Sequence, residues 1–323
     1  MIRVAILSYW HVHAEGYTQE FMNTPSCQVT CLWDELPERG RKMAEKFAVP
    51  YEPCLDALLA REDVDAVCVN APTNMHPEVM VKAANAGKHI FTEKVLALTC
   101  DGARQIIDAI EKNGVQFCIS FPHRTMPRNL YAKQVVDSGK LGKITLMRVR
   151  NAHDGTSGNW LPPHFYDGTQ CGGGAMIDLG AHPMYLCNYL MGRPAAVTST
   201  FTEMYGKGVE DNAVSVLEYP NGAIAISETG FVSSASPYQL EIYGTDGSLL
   251  ICEDDVQLRL KGQDAQTIPL EQMPAPLPSA IAQFTAAIAG QGKAAFGTQD
   301  AYDLTELMEK AYQAHRTHSR VTF

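Results

Sequence analysis

The sequence predicts an α/β protein in two parts. A doubly wound parallel sheet comes first, and an α+β part built on a large, mostly antiparallel open sheet follows. Three observations carry this. Short apolar runs alternate with helical patterns as far as Ser120, and hairpin-like runs replace that rhythm afterwards. Between them stands one unusual stretch, Gly172-Gly173-Gly174-Ala175-Met176-Ile177-Asp178-Leu179-Gly180-Ala181-His182. At 323 residues the chain is long enough for two separate cores.

In the first part, Val4–Leu7, Val29–Trp33, Ala66–Asn70, His89–Phe91 and Gln116–Ser120 are β-branched or apolar runs suited to buried parallel strands. Helical patterns separate them at His13–Met22, Pro37–Phe47, Leu55–Ala60, Pro77–Ala86 and Asp101–Lys112. Thr99 is placed to cap the last of these, and Gly87 and Gly114 fall where helices end. In the second part a helix at Pro127–Ser138 leads to a strand at Ile144–Ala152, and Ala175–Leu190 reads as one helix. Strands are expected at 196–203, 213–219, 223–231, 238–243, 248–252 and 256–260, with turns at Asn221-Gly222 and Asp246-Gly247. Helices at 279–289 and 299–317 close the chain. The boundary is placed at Phe121, giving a dinucleotide-binding part, 1–121, and a substrate-binding and oligomerisation part, 122–323.

Composition excludes several classes. Hydrophobic residues make up 46% and charged residues 19%, an ordinary globular balance. The formal charge of −10, without a basic cluster, argues against nucleic acid and against an anionic membrane surface. No run approaches the roughly 20 apolar residues of a membrane span, and the opening Met1–Leu7 enters a strand rather than a signal peptide. Nine scattered cysteines without a C-x-x-C pair read as reduced, mostly buried thiols of a cytoplasmic protein. No metal is expected.

The first strand–helix turn, Leu7-Ser8-Tyr9-Trp10-His11-Val12-His13, lacks the G-x-G-x-x-G that lets a backbone approach a pyrophosphate. Ser8 is small enough to stand at the first position. Trp10, in register with the second, must point away, with His11 and Val12 offering backbone N–H groups. Asp34 ends the second strand, where a carboxylate can accept ribose hydroxyls and repel a 2′-phosphate. Glu35 adds to the preference for NAD over NADP, while Arg39 and Arg41 read as solvated helix-surface residues. Ala71, Pro72, Thr73 and His76 follow the third strand and border the cofactor, His76 more as a structural contact than as a catalyst. Glu93 and Lys94 leave the fourth strand at the same edge, the carboxylate suited to the nicotinamide ribose and the ammonium to the reacting carbon. Asp178 and His182, four residues apart, share a face if their helix is continuous, and its glycine-led start offers free N–H groups.

Together, Glu93-Lys94, the Gly172-Gly173-Gly174…Asp178…Gly180…His182 element and the two-part order resemble the glucose–fructose oxidoreductase/inositol dehydrogenase (Gfo/Idh/MocA) family over nearly the whole chain. Members usually carry Glu-Lys-Pro, where this chain has Val95. The resemblance implies an amino-terminal Rossmann domain, NAD (NADP less readily) and a sugar- or cyclitol-type substrate. It also implies a proton and hydride relay. His182 acts as general base on a secondary hydroxyl, Lys94 bonds the same oxygen, and Asp178 holds the lysine or the imidazole. These types fit the chemistry: a base titrating near neutrality, a cation for a developing alkoxide, and an orienting carboxylate. Substrate contacts are expected from His123 and Arg124 after the last parallel strand, and from His153, Trp160 and His164 ahead of the glycines, where aromatic faces and polar tips suit a polyhydroxylated ring. The alternative for that stretch is a loop holding domains or subunits together. Two other functions compete: a non-catalytic nucleotide- or sugar-binding protein on the same fold, and metal-assisted elimination or hydrolysis using His153, Asp154, His164 and Asp167. The open sheet face predicts a homodimer or homotetramer.

Overall fold

The computed structural model describes residues 1–323, which form two compact units. The first consists of Met1–Phe121 together with Pro278–Thr305, and the second of Pro122–Leu277 with Glu306–Phe323. Pro278–Thr305 therefore packs with the first unit, not with the second as its place in the sequence suggested.

In the first unit the order is β1 (Ile2–Leu7), α1 (Ala14–Asn23), β2 (Cys27–Trp33), α2 (Pro37–Phe47), α3 (Leu55–Leu59), β3 (Ala66–Val69), α4 (His76–Asn85), β4 (His89–Thr92), α5 (Cys100–Asn113) and β5 (Phe117–Ile119). The five strands pair in parallel as β2-β1-β3-β4-β5. A parallel bridge from Leu32 to Tyr51 adds a vestigial strand outside β2, completing the 3-2-1-4-5-6 dinucleotide order with one member reduced to a single residue. Val4–Leu7 and Ala66–Val69 are fully buried, as a parallel sheet covered on both faces requires. Helix α5 buries Ala103, Ile106, Ile107 and Ile110 along one stripe, and Thr99 Oγ accepts the Gly102 N–H (3.1 Å) at its start. The returning segment seals the far edge. Phe296 O accepts from Ile119 N (3.1 Å), which gives the edge strand a partner, and Phe284 and Phe296 pack on Phe91 and Phe121.

The second unit contains α6 (Pro127–Asp137), β6 (Ile144–Ala152), α7 (Gly168–Cys171), α8 (Ala175–Asp178), α9 (Ala181–Met191), β7 (Ala196–Thr202), β8 (Asn212–Glu218), β9 (Ile224–Gly230), β10 (Gln239–Gly244), β11 (Gly247–Cys252), β12 (Asp255–Leu260), β13 (Gln266–Thr267) and β14 (Val321–Thr322). Nine strands order as β13-β12-β11-β10-β6-β9-β8-β7-β14, antiparallel except for the β6–β9 pair. The two shortest, β13 and β14, have too few residues to show a period and escaped the sequence reading. Helix α9 lies on β6 and β9 and buries almost all of Ala181–Cys187, closing one face of the sheet.

The predicted single helix at Ala175–Leu190 is two. Gly180 N bonds back to Ala175 O (2.9 Å), one residue too far for an α-turn, and His182 N bonds to Leu179 O (3.1 Å), one residue short. Gly180 sits against Met176, whose carbonyl and sulfur occupy the space a Cβ would need. Asp178 ends α8 and His182 stands second in α9, so the two are not set one turn apart on a single regular helix.

Candidate active site

In the first unit the candidate residues collect at the carboxyl ends of β1, β2, β3 and β4, where parallel α/β sheets hold their ligands. Ser8 takes the glycine-like conformation, φ 74°, and its Oγ accepts the Trp10 N–H (3.0 Å). A left-handed non-glycine residue costs about 1 kcal/mol, which this local bond offsets. Trp10 is buried, as its position required. Of the two backbone N–H groups expected to face phosphate, that of His11 donates to Asn70 O (3.1 Å) beyond the end of β3. The His13 N–H donates to His11 Nδ1 (3.2 Å), and Val12 is exposed at the tip.

Asp34 is 1% exposed and accepts four donors. Oδ2 takes Tyr9 N (2.9 Å) and Arg39 Nε (2.8 Å), while Oδ1 takes Leu36 N and the other arm of Arg39, each at 2.8 Å. Arg39 also pairs with Glu35 and reaches Ser8 Oγ (3.3 Å). It is not a solvated surface residue. A bidentate arginine on a buried carboxylate ties α2 to the end of β2 and the first turn. Ala71, Pro72 and Thr73 are buried beside that turn. The His76 ring lies between Leu96 O (3.1 Å) and Ala71 O (3.0 Å), so its nitrogens join the loops after β3 and β4 and are not presented to a ligand.

Glu93 is 2% exposed and carries its charge among donors. Oε1 accepts from His13 Nδ1 (2.9 Å) and from the Tyr17 hydroxyl, and Oε2 from Lys94 N (2.9 Å). Burial alone would raise its pKa. The charges of His11, His13 and Lys94 and the hydrogen bond from His13 outweigh that and hold the carboxyl well below the usual range. Lys94 is 6% exposed, and the peptide bond that follows it is cis. The ligand-type atoms of His11, His13 and Glu93 lie within 4.8 Å of one another. His13 Nδ1 bonds Glu93 and His11 Nδ1 accepts the His13 amide, so the trio reads as a hydrogen-bonded clamp on Glu93.

In the second unit Gly172 ends α7 in the left-handed conformation (φ 85°), and the next two glycines serve packing. A Cβ on Gly173 would strike the Tyr312 hydroxyl, and one on Gly174 the Glu210 carbonyl. The N–H groups that the sequence offered to a ligand are taken. Glu210 Oε1 accepts Gly174 N (2.9 Å) and Met176 N (3.0 Å), Glu210 O accepts Ala175 N (2.8 Å), and the Tyr312 oxygen accepts Ile177 N (3.2 Å). Burial pushes the Glu210 carboxyl up, and the bonds from Tyr312, Gly174 and Met176 oppose it. Neither residue stands out in the sequence, because nothing local marks a carboxylate that caps a helix 36 residues away.

His182 is buried, with Nδ1 2.8 Å from the Tyr185 hydroxyl and its ring stacked on His123 (centroids 4.5 Å apart, planes at 27°). The structure thus brings His123 and His182 together. Arg124 instead lays its guanidinium over the Tyr189 ring at 4.5 Å. His153 stacks on Phe231 and sits 4.6 Å from Trp160, which is 55% exposed. Asp154 accepts from Trp160 Nε1 (3.0 Å) and Ser234 Oγ (3.1 Å), bonds that hold its pKa down, and Asp167 caps α7 through Thr169 N and Gln170 N. His164 packs on Phe165. Asp154 thus fastens its loop to Ser234, and Asp167 fastens the start of α7. Tyr185 escaped the sequence reading, although its place three residues after His182 was a usable signal.

Comparison with known proteins agrees with this geometry. Residues 3–121 match the oxidoreductase family with an NAD-binding Rossmann fold, and residues 129–250 match the GFO/IDH/MocA C-terminal domain. The chain belongs to the Gfo/Idh/MocA family. It is an NAD(P)-dependent oxidoreductase. Among curated Gfo/Idh/MocA relatives, scyllo-inositol 2-dehydrogenase (NAD(+)) of Bacillus subtilis (strain 168) is 29% identical over 270 residues, 77% of this chain and 73% of that protein. The 1,5-anhydro-D-fructose reductase of Ensifer adhaerens is 26% identical over 281 residues, 82% of each. Levoglucosan dehydrogenase, solved in complex with NADH and levoglucosan, shares the fold with a TM-score of 0.84 at 20% identity, covering 99% of both chains.

Proposed function

We propose that this member of the family oxidises a secondary hydroxyl of a sugar, sugar derivative or cyclitol with NAD, or reduces the corresponding ketone. The observation that carries the reading is the buried Glu93-Lys94 pair at the carboxyl end of β4, within a family of nicotinamide oxidoreductases. The donor set fits the dinucleotide. Two buried carboxylates, Asp34 and Glu93, stand at the ends of β2 and β4, one for each ribose, and both now bond protein donors that ribose hydroxyls can replace. Bound nicotinamide supplies the hydride acceptor. His182 removes the hydroxyl proton, Lys94 donates a hydrogen bond to the oxygen as its charge develops, and Asp178 positions the ammonium. With Nδ1 of His182 committed to Tyr185, proton exchange falls to Nε2. His123, stacked on His182, and the exposed Trp160 beside His153 supply substrate contacts.

A panel of polyols and keto-sugars, read by absorbance of the reduced nicotinamide, tests the reading. Turnover on cyclic polyols with NAD is expected. Failure to bind NADH in a fluorescence titration would turn the reading towards a binding protein.

Asp34 carries the preference for NAD. Asp34→Asn is expected to weaken NAD binding roughly 10–100-fold, the scale of a charge-assisted hydrogen bond, and to narrow the gap to NADP. An unchanged NAD/NADP ratio of dissociation constants would remove Asp34 from the ribose site.

Self-association is proposed through the sheet face away from α9. Val214 and Ile224 are 36% and 41% exposed there, large for apolar strand residues. A dimer or tetramer is expected by light scattering, and a monomer at micromolar concentration would contradict it. Nine free cysteines are consistent with a cytoplasmic location.

A further inference from the structure

Tyr185 is the least accounted-for polar group near His182. It is 3% exposed, and its ring meets the imidazole edge-on (centroids 5.5 Å, 82°). Its hydroxyl lies 2.8 Å from His182 Nδ1 and accepts the backbone N–H of His123 (3.1 Å). The N–H of His123 can only donate, so it occupies one lone pair of the Tyr185 oxygen. Towards His182 the oxygen either accepts an Nδ1–H on its other lone pair or gives its own proton to Nδ1.

That leaves two arrangements for a neutral imidazole. In one, Nδ1–H donates to the tyrosine oxygen and Nε2 carries the lone pair, ready to accept a proton. In the other, the tyrosine O–H donates to Nδ1, and Nε2 bears the hydrogen and cannot act as a base. Once protonated, His182 has N–H at both nitrogens, and Nδ1–H donates to the tyrosine oxygen as in the first arrangement. The base-competent tautomer and its product thus share one hydrogen bond in one geometry, and a proton can arrive at Nε2 with no reorganisation at Nδ1.

The surroundings hold the tyrosine oxygen where this works. Asn129 Nδ2 donates to His123 O (2.8 Å), and the Tyr238 hydroxyl donates to Asn129 Oδ1 (2.8 Å). The His123 backbone is thereby held through its carbonyl, next to the N–H that meets Tyr185, while the His123 ring covers one face of the imidazole. Asn129 is fully buried and Tyr238 5% exposed, so this support is shielded from competing water.

We propose that Tyr185 is the positioning residue of the general base: it anchors His182 by Nδ1, with the His123 amide as its own anchor, and so fixes which nitrogen exchanges the proton. The proposal rests on the reading of His182 as the base. A tyrosine hydroxyl does this without the negative charge that a carboxylate partner brings, so it orients the ring without strongly favouring the imidazolium.

The test uses Tyr185→Phe, which keeps the ring and removes only the hydroxyl. In protein labelled with ¹⁵N-histidine, with the His182 signals assigned by their loss in His182→Gln, wild type is expected to show the Nδ1–H tautomer. Tyr185→Phe is expected to show a mixture, at a temperature where its melting curve shows it folded. Its kcat should fall roughly 10–100-fold, the scale of losing an orienting outer partner, with KM and NADH affinity within about twofold of wild type. The acid limb of its kcat–pH profile should also move, which loss of packing alone would not produce. An unchanged tautomer together with an unchanged pH profile would overturn the proposal. Normal turnover of His182→Gln would instead overturn the reading of the base, and the tautomer spectra would still decide whether Tyr185 holds the ring.

Discussion

Lys94→Ala and His182→Ala are each expected to lower turnover by roughly 10²–10⁴-fold, with NADH affinity nearly unchanged. The size follows from what each group supplies. A hydroxyl proton leaves at neutral pH when a base takes it and a cation steadies the oxygen. Lys94 is buried, and the backbone that carries it is tied to Glu93 by the Lys94 N–H, so shortening its side chain removes the ammonium without freeing the strand end. His182 is packed against His123 and Tyr185, so alanine there also leaves a cavity. The more conservative His182→Gln separates the two effects: its stability should stay near wild type while turnover falls. Stopped-flow or steady-state kinetics on an accepted polyol, beside a fluorescence titration with NADH, reads both. Wild-type rates in either alanine variant would contradict the mechanism.

Gly174→Ala carries the largest expected cost to the fold. A methyl group there would be driven into the Glu210 carbonyl and the Val209 side chain, and the carbonyl belongs to backbone that cannot swing aside. Overpacking of this kind costs about 1–3 kcal/mol or more, a fall in melting temperature of roughly 3–10 °C. Activity should fall further than stability, because the displaced segment leads directly into α8 and the kink that sets Asp178 and His182. Gly16→Ala is the matched control. It lies within α1 with nothing near its added Cβ, so it should be neutral or should stabilise by about 0.5–1 kcal/mol. Equal melting temperatures for Gly174→Ala and wild type would mean that the close approach at Glu210 relaxes freely.

Much of the candidate site was legible because its residues sit where period and punctuation change. Asp34, Glu93 and Lys94 each follow a short apolar run, and the end of a parallel strand is a predictable address. The Gly172–Gly174 run advertised itself by composition, but its purpose was not legible. Gly173 and Gly174 serve the close approach of Tyr312 and Glu210, partners 135 and 36 residues away from the amides they bind. The pairing of Asp34 with Arg39 was missed for another reason. Solvation is the ordinary fate of an arginine in a helix's first turn, and only burial of the carboxylate made the bidentate bond worth its desolvation. The one long helix expected at Ala175–Leu190 failed because its apolar pattern runs unbroken through Gly180, while the interruption depends on how Met176 packs against that glycine.

The sequence by itself determined the alternation of strands and helices, the family, and the residue types that chemistry on a hydroxyl requires, because these depend on local period and on side-chain identity. Tertiary structure alone decided that Pro278–Thr305 returns to seal β5, that the His11 amide after β1 bonds Asn70, and that the Tyr185 hydroxyl meets His182. Each of those is a hydrogen bond or a packed surface between groups whose separation in space the order of residues leaves open. A buried donor or acceptor must find a partner, but the chain can satisfy it from any element that the fold brings near.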